Sequence, residues 1–352
     1  LAREGSTTFT KYWMVSEKEY TDDYVWLGAV DSDWNNVSNW SASKVPNETA
    51  DVLIPSAIRY DFPPIIDATS GYSDEISNTA VGFEEVRMRT LEIAATAVLT
   101  VEDGKRIKMY GGPNQSTSAG NINFTTWFDS GTFIPGTGTV QFITAGETTA
   151  STVGGSTRFY DLIIGDAYGD PAYEHSILQL QDGSRVEVEH TISFHEADDY
   201  IDTRSFPNTI AYVGANQEVI TTRGDYIGYH SLELSGTGTT TLPAAIDIYG
   251  NLIVNQDAGL NITNTPINFY GLPTTDQFIL SDVLTSLTLN EVEVNNKQVT
   301  SNLETLTIND LDLVNGTFRA GDNANVILTN LLTKTNGYLG GTGTITFEAP
   351  DV

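Results

Sequence analysis

Two stretches 206 residues apart carry nearly the same sequence: Gly131-Thr132-Phe133-Ile134-Pro135-Gly136-Thr137-Gly138-Thr139-Val140-Gln141-Phe142 and Gly337-Tyr338-Leu339-Gly340-Gly341-Thr342-Gly343-Thr344-Ile345-Thr346-Phe347. A weaker third copy runs Ser235-Gly236-Thr237-Gly238-Thr239-Thr240-Thr241-Leu242. Each copy passes through small turn residues into an alternating strand, whose inward positions are read as Val140 and Phe142, or Ile345 and Phe347. Repetition of a strand-plus-turn unit means one supersecondary piece stacked many times, so that each unit buries its apolar face against its neighbours.

The rest of the chain fits stacking. Runs of about five residues rich in Thr, Val, Ile, Tyr and Phe alternate with polar residues between Gly, Asn and Asp turns. Helical periodicity is almost absent. Apolar-x-apolar triplets recur at Leu91-Glu92-Ile93, Leu162-Ile163-Ile164, Leu232-Glu233-Leu234, Leu252-Ile253-Val254, Leu287-Thr288-Leu289 and Leu306-Thr307-Ile308. Their starts lie 71, 70, 20, 35 and 19 residues apart, which fits coils of roughly 20–25 residues with some longer ones. Asn at turns such as Asn251, Asn290 and Asn309 is expected to accept left-handed backbone while bonding the next coil. The expected fold is an all-β, right-handed parallel β-helix. Tandem β-sandwiches are the alternative, since they also use short strands and Gly-rich turns.

Charge bounds the partners. With 46 Asp and Glu against 17 Lys and Arg, the formal net charge is -29. Such a field repels phosphate backbones and anionic membranes, which excludes nucleic acid, and no stretch approaches the roughly 20 apolar residues a membrane helix needs, so no membrane insertion is expected. The absence of cysteine rules out disulfides and zinc-thiolate sites. The chain opens at Leu1 without a Met or an apolar leader and closes on Ala349-Pro350-Asp351-Val352 directly after a repeat, so a larger parent protein is expected.

The first 60 residues differ from the rest and are read as an aromatic-rich extension and cap, with solenoid repeats over 61–352. Four of the five tryptophans precede position 41, and Tyr12, Trp13, Tyr20 and Tyr24 stand among charges. An open first coil would expose apolar surface and strand edges, and large aromatic side chains are suited to closing it. Tyr12, Trp13 or Tyr20 could instead stack on a glycan.

Trp26-Leu27-Gly28, then Asp33-Trp34, then Asn39-Trp40, then Val45-Pro46 and Asp51-Val52-Leu53-Ile54-Pro55 resemble the opening motif of large secreted surface β-helix proteins of Bacteroidetes, the gliding and adhesion proteins exported by the type IX system. The Gly-Thr-Gly-Thr units and Phe159-Tyr160-Asp161-Leu162-Ile163-Ile164 resemble the same repeats. The likeness is specific over about 30 residues and looser beyond. It implies a β-helix at the bacterial cell surface, with Trp26, Gly28, Trp34, Asn39, Trp40, Pro46 and Asp51 as structural cap residues.

Candidate chemistry is sparse. The densest constellation is His195-Glu196-Ala197-Asp198-Asp199-Tyr200-Ile201-Asp202-Thr203-Arg204, and Glu84-Glu85 and Asp22-Asp23 are weaker acid pairs. A glycoside-cleaving site needs two carboxyl groups at a set separation, whereas solvated acidic turns account for these equally well. Among His175, His190, His195 and His230 only the middle two are close, and not at a zinc-site spacing. Calcium is the one metal that the acidic loops suggest, at Asp31, Asp33, Asp198 and Asp199, with Asp166, Asp170 and Glu196 nearby candidates. Asp31-Ser32-Asp33-Trp34-Asn35 begins like a calcium loop but has Asn36 and Ala42 where that loop has Gly and Glu. No catalytic residue is assigned and no enzyme is expected. The expectation is a non-enzymatic stalk or adhesive fibre outside the cell, meeting surface glycans, other cells or copies of itself. A filament subunit and a glycan-binding or glycan-cleaving β-helix are the alternatives.

Overall fold

The computed structural model describes residues 23–73, 80–111, 125–144, 150–166, 176–221, 228–256, 260, 262–271, 276–295 and 298–348. Tyr12, Trp13, Tyr20, Asp22, Asp170 and His175 lie outside them. Among the described strands every ladder is parallel except the short pairing of Tyr72–Ser73 with Ala80–Val81. The chain is a parallel β-solenoid, because neighbouring strands come from successive coils and not from hairpins. Sandwich sheets, which are antiparallel, are excluded.

Each coil contributes up to three strands. The first face begins with Asp23–Val25, Asp51–Ile54, Thr90–Ile93 and Trp127–Asp129, paired in that order. It continues through the start of Ser151–Ile164 into Ile177–Leu180 and Tyr200–Asp202. The second face includes Ser184–Phe194, Asn208–Tyr212, Ser231–Leu234 and Leu252–Val254. The third includes Glu85–Met88, Arg106–Met109 and Thr139–Phe142, then the end of Ser151–Ile164. Among the described residues the ladder runs from Asp23–Val25 through Asp51–Ile54 to Thr90–Ile93, on both sides of residue 60.

Alternation explains the burial. In Thr305–Val314 the inward Leu306, Ile308, Leu311 and Leu313 are buried, while Thr305, Thr307, Asp310 and Asp312 are only half-buried. Leu287, Leu306, Val326 and Ile345 stack in register, as do Leu289, Ile308, Leu328 and Phe347. A fully buried side chain of this kind stabilises its coil by about 1.5–3 kcal/mol. Val140 and Phe142 are buried as expected; Ile345 and Phe347 point the same way, but Phe347 is 61% exposed because no described coil lies above it.

The register corrects the simple coil count. The triplets at Leu232 and Leu252 stack directly, as do those at Leu287 and Leu306. Leu91 belongs to the first face, Leu232 to the second and Leu162 to the third, so the longer gaps measure jumps between faces. True coil offsets run from 19 residues at Leu287 to Leu306 up to 39 at Val52 to Leu91.

All three Gly-Thr-Gly-Thr copies turn the corner between the second and third faces. A Cβ at Gly343 would stand 2.3 Å from the Ala324 carbonyl oxygen of the coil beneath, and one at Gly138 would stand 2.7 Å from that of Lys105. The repeated glycines therefore let one coil settle on the next. Asn290 and Asn309 bond each other across coils at 3.1 Å, as expected. Left-handed backbone instead falls at Asn216, Asn315, Asn323 and Asn336.

Candidate functional site

The first coil is built around three buried indoles. Trp40 meets Trp26 and Trp34 edge-on, with ring centroids 4.9 and 4.7 Å away, the offset geometry aromatic quadrupoles favour. Trp26 donates its indole N–H to the Phe62 carbonyl at 2.8 Å, and Trp40 donates to that of Trp34 at 2.8 Å. Gly28 is needed beside them, since a Cβ there would stand 2.3 Å from the Phe62 oxygen. Asn39, wholly buried, accepts from the Val30 amide at 3.0 Å and donates to Asp31 at 2.7 Å and to the Asp33 carbonyl at 3.1 Å. Pro46 is buried, and its carbonyl accepts from the Ser73 amide at 3.2 Å. Asp51 faces outward and receives the Arg89 guanidinium and the Thr90 hydroxyl of the next coil. Six of the seven residues thus converge on the first coil, and Asp51 ties that region to the next.

The four calcium candidates are not brought together. Asp31 and Asp33 sit in the first coil, and Asp198 and Asp199 lie several coils away. Asp31 accepts from the Asn36 and Asn39 amides at 2.9 and 2.7 Å, and these bonds hold its carboxyl below the usual range. Asp33 accepts from the Asn35 amide at 2.9 Å. Asp199, buried, accepts from the Ser176 and Glu196 amides at 2.8 and 2.7 Å; burial raises its carboxyl despite them. Asp198 is exposed. Among the described residues no group of three or more Asp, Glu or His side chains converges as a metal site. His190 stacks on Tyr160 at 4.9 Å and bonds Asp161 at 2.7 Å, an arrangement belonging to one corner between the second and third faces.

The most site-like feature was not singled out by the sequence. A pocket of about 200 Å³ is lined by Asp129, Phe133, Ser156, Thr157, Arg158, Arg185 and Glu187, among others. At its base Asp129 is 2% exposed and accepts from the Gly131 amide at 3.0 Å. The Thr157 hydroxyl, which accepts from the Trp127 indole at 3.2 Å, also bonds the Asp129 carboxylate. Burial outweighs both bonds and pushes the Asp129 carboxyl up to about 6.

At the mouth, Arg158 and Arg185 each donate to Glu187, at 2.7 and 3.1 Å. Arg185 reaches on past the coil carrying the small Ala211 to Glu233 at 2.5 Å. Burial alone would raise Glu233, but the Arg185 guanidinium and the Ser235 hydroxyl outweigh it and hold its carboxyl low. Two carboxyl groups therefore face one pocket, yet both oxygens of Glu187 are engaged by guanidiniums. That arrangement suits holding a polar ligand or fixing a corner better than supplying a free base or nucleophile.

A pH effect follows from Asp129. Its proton is held more tightly in the folded chain, so stability falls as pH rises from about 4 to about 6 and stays lowered above that. Asp129→Asn is expected to gain about 2 kcal/mol at pH 7.5 and much less at pH 4. Guanidinium unfolding of both chains at the two pH values checks it; an equal difference at both would show that Asp129 does not titrate in this window.

Comparison with protein-family models, with curated proteins and with solved structures finds no match.

Proposed function

We propose that this chain is a non-enzymatic structural or adhesive β-solenoid segment of a large bacterial cell-surface protein, serving as a rigid stalk or fibre outside the cell. The observation that carries this reading is the stacking of parallel strands, coil on coil, among the described residues from Asp23 to Phe347 around one apolar core. Such a body grows in length without gaining thickness. The outward-facing aromatics support it too: Phe128, Tyr160, Phe206 and the Tyr249–Tyr270 pair are spread over different coils and do not line one groove. The net charge of -29 keeps such rods apart side to side. The resemblance of the tryptophan-rich opening to secreted surface β-helix proteins is what supports a cell-surface location and export by the type IX route.

The test is small-angle scattering on the purified chain combined with binding to bacterial cells and surface glycans. A rod about 60 Å long, from coils spaced about 4.8 Å apart, that holds to cells without altering added polysaccharides agrees with the reading. Polysaccharide cleavage overturns it. Calcium chelation is expected to leave the melting temperature unchanged, because the Asp31, Asp33 and Asp199 carboxylates already accept turn amides. A calcium site at 100-fold saturation would instead add about 2.7 kcal/mol, visible as a shift of several degrees.

Glycan binding is a second reading, favoured by the Asp129 pocket with its guanidiniums, hydroxyls and the Phe133 ring. Loss of glycan retention in Arg158→Ala would support it.

A further inference from the structure

The coils change girth in the middle of the stack. Ile93, Asp129 and Gly155 pair in one row of the first face, and Arg106, Thr139 and Asp161 in one row of the third. Between those rows three successive coils use twelve residues (94–105), nine (130–138) and five (156–160). The second contraction removes about 13 Å of extended chain, and the second-face ladder breaks there. Thr132–Ile134 pairs with Val98–Thr100 on one edge. Among the described residues its other edge makes no ladder with Ser156–Phe159, which pairs with Arg185–Val188 instead. The break is a step between two coils that remain paired on the first and third faces, and the Asp129 pocket lies in its angle. Thr132 and Phe133 line one wall, and Ser156, Thr157 and Arg158 the other.

The step leaves main-chain groups to be satisfied. Thr132 donates its amide back to the Ala97 carbonyl at 2.9 Å, and successive residues of a strand bond alternate neighbours. Phe133 therefore turns its N–H and C=O to the open side, over the pocket. The exposed Thr132 and Ser156 side chains stand beside this donor and acceptor, with the Asp129 carboxyl beneath. Donors and acceptors interleaved in one cavity suit hydroxyl groups, each of which gives one hydrogen bond and accepts others. A peptide strand would find only one residue's main-chain pair on so short an edge. Charge narrows the ligand further. Arg158 and Arg185 are tied to Glu187, Glu189 and Glu233, so carboxylates outnumber guanidiniums even before Asp129 is counted, and an anion gains no net attraction. The volume of about 200 Å³ is below the roughly 300–1,000 Å³ of a drug-sized site, which suits a single ring. We propose that the step binds one neutral pyranose unit of a glycan, whose neighbouring hydroxyls bridge the Phe133 main chain, the Ser156 hydroxyl and the Asp129 carboxylate. This rests on the glycan-binding reading and deepens it, naming the class of sugar and where it sits.

Ligand-observed NMR titration of the full chain at neutral pH tests it. The probes are the methyl glycosides of glucose, galactose, mannose and N-acetylglucosamine, with glucuronate and galacturonate beside them. At least one neutral sugar should saturate with a Kd of about 1 mM, and both uronates should bind at least about 10-fold more weakly. Ser156→Trp, at an exposed position, fills the pocket and should abolish that binding at an unchanged Tm. Asp129→Asn, expected to be the more stable chain at this pH, should weaken it about 10-fold. Uronates bound more tightly than neutral sugars and lost in Ser156→Trp would overturn this inference and leave the glycan reading standing. A neutral sugar held equally well by Ser156→Trp would place the sugar elsewhere and overturn it as well. Binding of none of these sugars also overturns it, and the glycan reading falls too if Arg158→Ala leaves retention of surface glycans unchanged.

Discussion

Replacing Trp40 with alanine is expected to cost about 3–5 kcal/mol, and the loss should remain local. Trp40 is 1% exposed, touches both Trp26 and Trp34, and closes the turn by donating its indole N–H to the Trp34 carbonyl. Its removal leaves a cavity between two large rings and an unpaired carbonyl, and Trp34 already lacks an acceptor for its own indole N–H among the described residues. In a compact globule such a loss spreads over the whole fold. In a stack of coils each unit contacts only its neighbours, so stability is nearly a sum of local terms. Hydrogen exchange should show amides of Asp23–Val25 and Asp51–Ile54 losing protection, while Gln298–Ser301 and Thr317–Ala320 stay unchanged. Uniform loss along the chain would mean that the coils unfold as one unit.

The second large effect is expected at Gly155. This residue has φ +78 inside Ser151–Ile164, at the point where the strand leaves the first face for the second. A Cβ there would stand 1.9 Å from the Asp129 carbonyl oxygen. Gly155→Ala combines left-handed strain with a backbone clash and is expected to destabilise by about 3 kcal/mol or more. Because the clash falls on Asp129, the substitution should also disturb the pocket and move the pH dependence assigned to that carboxyl. Parallel titrations of stability in Gly155→Ala and Asp129→Asn check this. An unchanged pH profile in a destabilised Gly155→Ala chain would separate the corner from the pocket.

Much of the architecture was legible because strands alternate with a period of two and the corner glycines repeat. Val140 and Phe142 could be placed inward from alternation alone, and the opening could be read as a cap from its density of aromatic residues. The three-faced arrangement was hidden because Leu232-Glu233-Leu234 and Leu306-Thr307-Ile308 look alike while lying on different faces. Asp129 was hidden for a different reason. Its sequence neighbours say only that an Asp two residues before a Gly makes a turn. What buries it is Gly155 and Thr157 of the following coil, brought over it by parallel pairing. The same limit applies to Trp127, whose contacts with Phe133, Phe142 and Phe159 at 4.8, 6.4 and 5.1 Å gather residues from two coils.

The ladder direction also fixes how the body responds to tension. Main-chain hydrogen bonds between coils run along the long axis, so a pull on the two ends loads one coil boundary at a time and opens it like a zipper. Each coil freed that way, such as the 19 residues separating Leu287 from Leu306, would pay out roughly 65 Å of extended chain. Anything tethered through such a segment would feel a series of small yields in place of one abrupt break, and each coil could rewind onto the one beneath when the load relaxed.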